Sequence, residues 1–174
     1  MKILIIYSST DGHTKKICEV IKENLINKGE LHLTSIENIS ETNVQFYDYI
    51  IIGASIRYGK HNRKVFDFIE KNLNIIEKKK NAFFSVNVVA RKNEKNTPET
   101  NPYIKKFLSK TRWKPKKLGV FAGKVDYPNY SFLNKQIIRF IMFITKGPTD
   151  TSQTYEFTNW NKVKNFAIEI EKFA

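Results

Sequence analysis

Three stretches of this 174-residue chain are apolar with little or no alternation: Ile3-Leu4-Ile5-Ile6-Tyr7, the YDYIIIG run from Tyr47 to Gly53, and AFFSVNVV from Ala82 to Val89. A strand covered on one face alternates apolar and polar side chains, whereas a strand buried on both faces does not. Residues 2–7, 47–53 and 82–89 therefore read as strands of a sheet that is covered on both sides. Leu31 to Ile36 alternates and reads as a second strand in chain order; Leu118 to Val125 supplies a fifth. Between them lie segments with helical spacing. Residues 14–28 carry Ile17, Ile21 and Leu25 on one stripe, with Gly29 placed to cap the C-terminus. Residues 62–76 bring Phe66, Ile69, Leu73 and Ile76 into register. A short helix is expected through Tyr103, Ile104, Phe107 and Leu108, ending before Pro115. A last helix starts near Trp160 and buries Val163, Phe166, Ala167 and Ile170.

Strands that alternate with helices form right-handed βαβ units around a parallel sheet. The expected fold class is α/β, a doubly wound five-stranded parallel sheet with strand order 2-1-3-4-5. At 174 residues and 41% hydrophobic content the chain is expected to form a single domain over 1–174. One segment exceeds that plan. Residues 126–159 form a long insert before the last helix, far longer than the few residues that join neighbouring elements. Within it, 131–146 (SFLNKQIIRFIMFITK) is apolar over most of a helical circumference, with Lys135, Arg139 and Lys146 on one narrow stripe. A helix of that length is only ~20 Å long and cannot cross the ~30 Å hydrocarbon core of a bilayer. It can lie on a membrane, meet a partner, or pack on the sheet as extra core.

The opening apolar run is too short for a secretory signal, and no stretch is long enough to span a membrane, so the chain is expected in the cytoplasm. A single cysteine, Cys18, excludes an intramolecular disulfide and a cysteine-based metal site. The three histidines, His13, His32 and His61, have no second ligand at metal-binding spacing, so no metal is expected. Lysine and arginine total 30 against 17 acidic residues, a net charge of +13. Such a balance implies an anionic partner, with a solvated lysine-rich surface as the plainer alternative. No nucleic-acid recognition motif accompanies the charge, so no nucleic acid is expected.

In doubly wound sheets the ligand sits beyond the carboxyl ends of the strands, at the switch point. The loops after the first, third and fourth strands therefore carry the chemistry. After the first comes Ser9-Thr10-Asp11-Gly12-His13-Thr14, and then a helix. Hydroxyls, a glycine and a helix N-terminus suit a phosphate: the helix end offers unpaired N–H donors and the positive end of its dipole. The P-loop lysine motif and the GxGxxG fingerprint are both absent, which disfavours nucleoside triphosphates and dinucleotides. An ordinary capped helix start is the plainer reading of the same residues.

Hydroxyl-x-x-Gly-x-Thr directly after the first strand resembles the FMN phosphate loop of flavodoxins. Asp11 departs from the hydroxyl common there, and is expected to turn away and bond backbone N–H groups. The Asp11-Gly12 pair, the stretch Gly53-Ala54-Ser55-Ile56-Arg57-Tyr58-Gly59, and Ser85-Val86-Asn87-Val88-Val89-Ala90-Arg91-Lys92 are similar to the signature loops of the quinone-dependent protoporphyrinogen IX dehydrogenases. The similarity continues through Thr97-Pro98 and the Trp113–Pro115 region and covers essentially the whole chain. That resemblance implies a flavodoxin-like fold and FMN as cofactor. It implies oxidation of protoporphyrinogen IX to protoporphyrin IX in haem biosynthesis, with menaquinone or ubiquinone as electron acceptor, and peripheral association with the inner face of the cell membrane. Homo-oligomer formation is left open.

By the same resemblance, the flavin ring lies between the loops after strands three and four. The cofactor-binding residues expected are Ser9, Thr10, Asp11, Gly12, His13 and Thr14, then Ala54, Ser55, Ile56, Arg57, Tyr58 and Gly59, then Asn87, Val88, Val89, Ala90 and Arg91. Tyr58 is expected to stack on the ring. Arg57, Lys60, Arg91 and Lys92 are candidate substrate anchors, Arg57 and Arg91 ahead of the lysines, because guanidinium groups pair with carboxylates and a porphyrinogen carries two propionates; a solvated basic rim is the plainer alternative. No general base is identified. Tyr127, Pro128 and Tyr130 are expected to help wall an apolar pocket. Two other functions compete: a flavodoxin-type electron carrier and an NAD(P)H:quinone reductase. Electron carriers of that type present acidic surfaces, against which the +13 charge and the apolar insert argue.

Overall fold

The structure is a computed structural model that describes residues 1–172. Five long parallel strands form the main sheet: β1 (Lys2–Ser8), β2 (Glu30–Ser35), β3 (Tyr49–Arg57), β5 (Lys80–Val86) and β6 (Lys117–Phe121). They lie in the order β2-β1-β3-β5-β6. Counted among themselves, the long strands follow the expected 2-1-3-4-5. A two-residue strand, β4 (Lys60–His61), pairs antiparallel with the end of β3.

Helices α1 (His13–Leu25) and α5 (Trp160–Lys172) cover one face; α2 (Arg63–Ile76) and α3 (Pro102–Lys110) cover the other. Successive strand residues point to opposite faces, so each strand feeds two cores. Ile3, Ile5, Tyr49, Ile51 and Phe84 pack with Ile17, Ile21, Val163 and Phe166. Leu4, Ile6, Ile50, Ile52 and Phe83 pack with Val65, Ile69, Phe107 and Trp113. This two-sided burial is the physical reason the strand sequences do not alternate.

Four boundaries differ from expectation. Helix α1 stops at Leu25 and a 3-10 turn over Ile26–Lys28 continues it to Gly29, which is the C-cap as expected: its φ is +150°, and a Cβ there would lie 2.0 Å from the Met1 carbonyl oxygen. Strand β3 runs on to Arg57, because Tyr58 and Gly59 (φ +48° and +72°) turn the chain back into β4. Two consecutive left-handed residues are what a tight hairpin needs. The fourth long strand ends at Val86, where Asn87 accepts a bond from Ala90 N–H and starts a 3-10 turn over Val88–Arg91. The run Leu118–Val125 divides into β6 and a separate short strand, β7 (Lys124–Asp126).

Strand β7 pairs antiparallel with β8 (Thr154–Glu156), so the insert leaves and re-enters the domain through one two-stranded ribbon. Between them runs α4 (Phe132–Ile144). A small third core of Val125, Tyr127 and Met142, flanked by Val88, Ile138, Tyr155 and Phe157, fixes α4 against the loop after β5. Helix α4 therefore hangs over the carboxyl ends of the strands.

Candidate functional site

At the end of β1 the chain enters α1 through Gly12, whose φ of +77° is the left-handed conformation that glycine adopts without strain. The Gly12 carbonyl accepts the Lys16 N–H at 3.1 Å, closing the first helical turn. No side chain caps this N-terminus and no acidic residue sits in the first turn. Its outward N–H groups and dipole are left for a ligand. Beside them the Thr14 hydroxyl is 1% exposed and finds no hydrogen-bond partner among the described residues. A buried hydroxyl without a partner is costly. A phosphate oxygen at the helix end would satisfy both it and the free amides, so the residues present fit the phosphate of a mononucleotide.

Residues Ser9, Thr10, Asp11, His13 and Thr14 line one hollow with Ser55, Ile56, Arg57, Asn87 and Val88. Asp11, Ile56, Arg57, Tyr58, Gly59, Asn87, Val88 and Val89 also line an adjoining cleft, whose other wall is Tyr130 and the α4 residues Ile138, Ile141 and Met142. The three expected loops thus meet around one continuous site. Ala54 and Ala90 are buried behind it. Sequence reasoning missed Lys124, which lines both spaces, and the α4 side chains. The apolar periodicity of 131–146 was the available signal, but it does not say which side faces a cleft.

Several side chains take other roles than their positions suggested. Asp11 does not bond backbone amides. Its carboxylate pairs with Arg57 Nη1 at 3.1 Å and accepts the Tyr130 hydroxyl at 3.4 Å. The Arg57 guanidinium lies 5.1 Å from the Tyr58 ring and 5.4 Å from the Tyr130 ring, and so ties the β3–β4 turn to the insert. The wall there is an ion pair, not a bare cation. Arg91 lies outside both spaces. It donates to the Val88 carbonyl at 3.1 Å and to the carbonyl and hydroxyl of Thr145 at 2.8 and 2.9 Å, capping the C-terminal end of α4. Burial lowers its pKa, with the Tyr127 phenol opposing. A cation at a helix C-terminus is favourable, and here it anchors the insert helix.

Tyr58 is 53% exposed at the hairpin tip and donates its hydroxyl to Asn134 of α4. The His13 ring turns under the loop to Thr158 at 2.6 Å, with Trp160 edge-on at 5.9 Å; burial lowers its pKa against the opposing pull of Glu156. The Asn87 side chain is buried and reciprocates bonds with Asn101, which caps α3. It holds the loop in shape, and with its neighbours Val88 and Val89 it lines the cleft. The Asn-Pro pair at 101–102, a strong helix-start signal, could have marked this anchor.

A parallel sheet of order 2-1-3-4-5, with its first strand-to-helix turn and the next two loops gathered around one site, defines a protein of the flavodoxin type. The model of a family described as the flavodoxin domain matches residues 4–152. Solved flavodoxins share the fold: one from the domain Archaea aligns with TM-score 0.57 at 16% identity, covering 99% of this chain and 98% of that one. A Fusobacterium nucleatum flavodoxin bound to flavin mononucleotide aligns with TM-score 0.54 at 13% identity, covering 99% and 98%. Nearer in sequence is the "Protoporphyrinogen IX dehydrogenase [quinone]" of Escherichia coli strain K12, 39% identical over 171 residues, 98% of this chain and 94% of that protein. The Leishmania major protein of the same name is 38% identical over 97% of this chain and 74% of its own length. The chain belongs to the protoporphyrinogen IX dehydrogenase [quinone] family of flavodoxin-domain proteins.

Proposed function

We propose that this protein binds FMN and oxidises protoporphyrinogen IX to protoporphyrin IX, passing the electrons to a membrane quinone, menaquinone or ubiquinone. The reaction removes six electrons and six protons in three two-electron steps, and three quinones become three quinols. When bound, FMN supplies the two-electron chemistry that links donor to acceptor. The chain's own residues supply the rest. Thr14 and the amides at the start of α1 hold the phosphate. The turn at Tyr58-Gly59 and the loop Val88-Val89 line one cleft, where Tyr58 would stack on the ring. Arg91, by fixing the end of α4, is a positioning residue.

The observation that carries this reading is the cleft's second wall. Ile138, Ile141 and Met142 of α4 roof the space beside the flavin loops with apolar side chains. A carrier that only hands electrons to partner proteins has no use for such a roof; an enzyme that oxidises a large apolar macrocycle does. The outer side of the same helix supports peripheral membrane binding. Phe132, Leu133, Phe140, Phe143 and Ile144 are 61–79% exposed there. No helix among the described residues is long and apolar enough to cross a membrane.

Reconstitution with FMN and FAD, followed by anaerobic addition of NADH or NADPH, tests the cofactor assignment and its main competitor. FMN is expected to bind tighter, and neither nicotinamide to bleach it. Tighter FAD binding, or rapid bleaching by NAD(P)H, contradicts the proposal.

A further inference from the structure

A second pocket of about 490 Å³ lies on the α2–α3 side of the β3–β4 hairpin, and nothing above uses it. It adjoins the flavin cleft: Ile56, Gly59 and Tyr103 line both. Its floor is apolar and uncharged. Phe107 stacks on Phe83 at 3.8 Å and lies 5.4 Å from Phe66. The His61 ring sits edge-on to all three, at 5.6 to 6.4 Å. Its Nε2 meets the Ser85 hydroxyl at 3.0 Å, and Asn87 donates to that same oxygen; burial lowers the His61 pKa to about 4, so the ring is neutral at pH 7. The rim is the reverse. Lys60, Arg63, Lys106 and Lys110 surround the floor, with Asp67 the one acidic group lining it. Asp67 is matched by Arg63 at 3.7 Å, which leaves three lysines in excess. Lys106 Nζ donates to the Gly59 carbonyl at 3.1 Å and so stands where pocket and cleft meet. An ammonium has three donors, and one backbone bond leaves two.

We propose that this pocket is the carboxylate lobe of the substrate site, with Lys60, Lys106 and Lys110 pairing the two propionates. The inference rests on the substrate reading above and deepens it. Both propionates of a protoporphyrinogen leave one edge of a broad, apolar macrocycle. When a bridging methylene faces the flavin, that edge must extend beyond the flavin cleft into neighbouring space. An apolar floor with a cationic rim complements such an edge. The two arginines expected to take this role have other partners: Arg57 is neutralised by Asp11, and Arg91 holds α4. The lysines are exposed.

The test uses the FMN-loaded full chain. Lys106→Gln and Lys110→Gln are each expected to raise KM for protoporphyrinogen IX roughly tenfold, the loss of a bond to a charged group, with kcat changed little. The dimethyl ester should be turned over with a KM that the substitutions leave alone. FMN affinity, unchanged in both variants, verifies the fold. Equal sensitivity of acid and ester, or no change in KM for either, overturns the carboxylate lobe while wild-type turnover upholds the function. Equilibrium binding of protoporphyrin IX against its dimethyl ester, read by porphyrin fluorescence, decides the pocket even if wild-type turnover fails. A lysine-dependent preference for the acid supports the lobe, and its absence refutes it.

Discussion

Thr14 carries the densest information of any single residue here. A hydroxyl buried at a helix N-terminus without a protein partner is open to an acceptor on a ligand. Thr14→Val keeps the shape and removes the donor, and should weaken FMN binding roughly tenfold, the value of a bond to a charged phosphate; Thr14→Ser should restore most of it. Titration of apoprotein with FMN, followed by flavin fluorescence quenching, measures both. His61 makes a second prediction. Burial among three aromatic rings lowers its pKa to about 4, with Lys106 adding a smaller push in the same direction. The unfolded chain, with a histidine near 6.5, then binds more protons between pH 6.5 and 4, so stability falls as pH drops through that window and levels off below it. His61→Gln should flatten the stability profile between those limits, checked by urea midpoints at half-unit pH steps. An unaltered slope would show that His61 is not the group responsible.

At the scale of elements, α4 has two sides with different duties. Met142 is 2% exposed in the insert's small core, Ile141 lines the cleft, and Phe140 and Phe143 are 64% and 72% exposed. Met142→Asp should therefore lose the insert's packing. Phe140→Asp and Phe143→Asp should keep folding and FMN binding and lower vesicle binding and quinone-linked turnover. Flotation with anionic vesicles and a thermal melt on each variant separate these outcomes. The long strands and their order were legible in the sequence, because continuous burial on both faces leaves apolar runs that periodicity detects. The strand-to-helix turn at Gly12 was legible for a related reason: glycine, hydroxyls and a helix start are local. The β3–β4 hairpin was not. Tyr58 takes φ +48° with no sequence cue for it, since a β-turn of that kind usually shows asparagine or glycine at that place. Nor were the roles of Asp11 and Arg91. Their partners lie 46 and 54 residues away in the chain, and no spacing rule reaches that far. The apolar arc of α4 was visible, but its division into cleft, core and open faces depends on where the β7–β8 ribbon sets the helix.

For the whole molecule, the proposed membrane docking would draw on the +13 charge and the exposed side of α4 together. Each basic residue near an anionic surface contributes roughly 1 kcal/mol, and salt screens that attraction over about 10 Å at 0.1 M. Binding to vesicles containing anionic lipid should weaken steeply between low and high salt, while the Phe140 and Phe143 variants should bind less at every salt concentration. Sedimentation across a salt series measures this; salt-independent binding would assign docking to apolar burial alone. On the proposed reading the quinone comes from the membrane, and porphyrinogen and cofactor would meet at the site under α4. This arrangement makes the direct reduction of bound flavin by protoporphyrinogen the central claim. Its most direct measurement is anaerobic mixing of FMN-loaded protein with protoporphyrinogen IX, following flavin absorbance and porphyrin fluorescence together. The account predicts that the flavin bleaches on mixing, and that a quinone restores its colour and lets porphyrin fluorescence grow over repeated turnovers. A flavin that stays oxidised in the presence of excess protoporphyrinogen would contradict it.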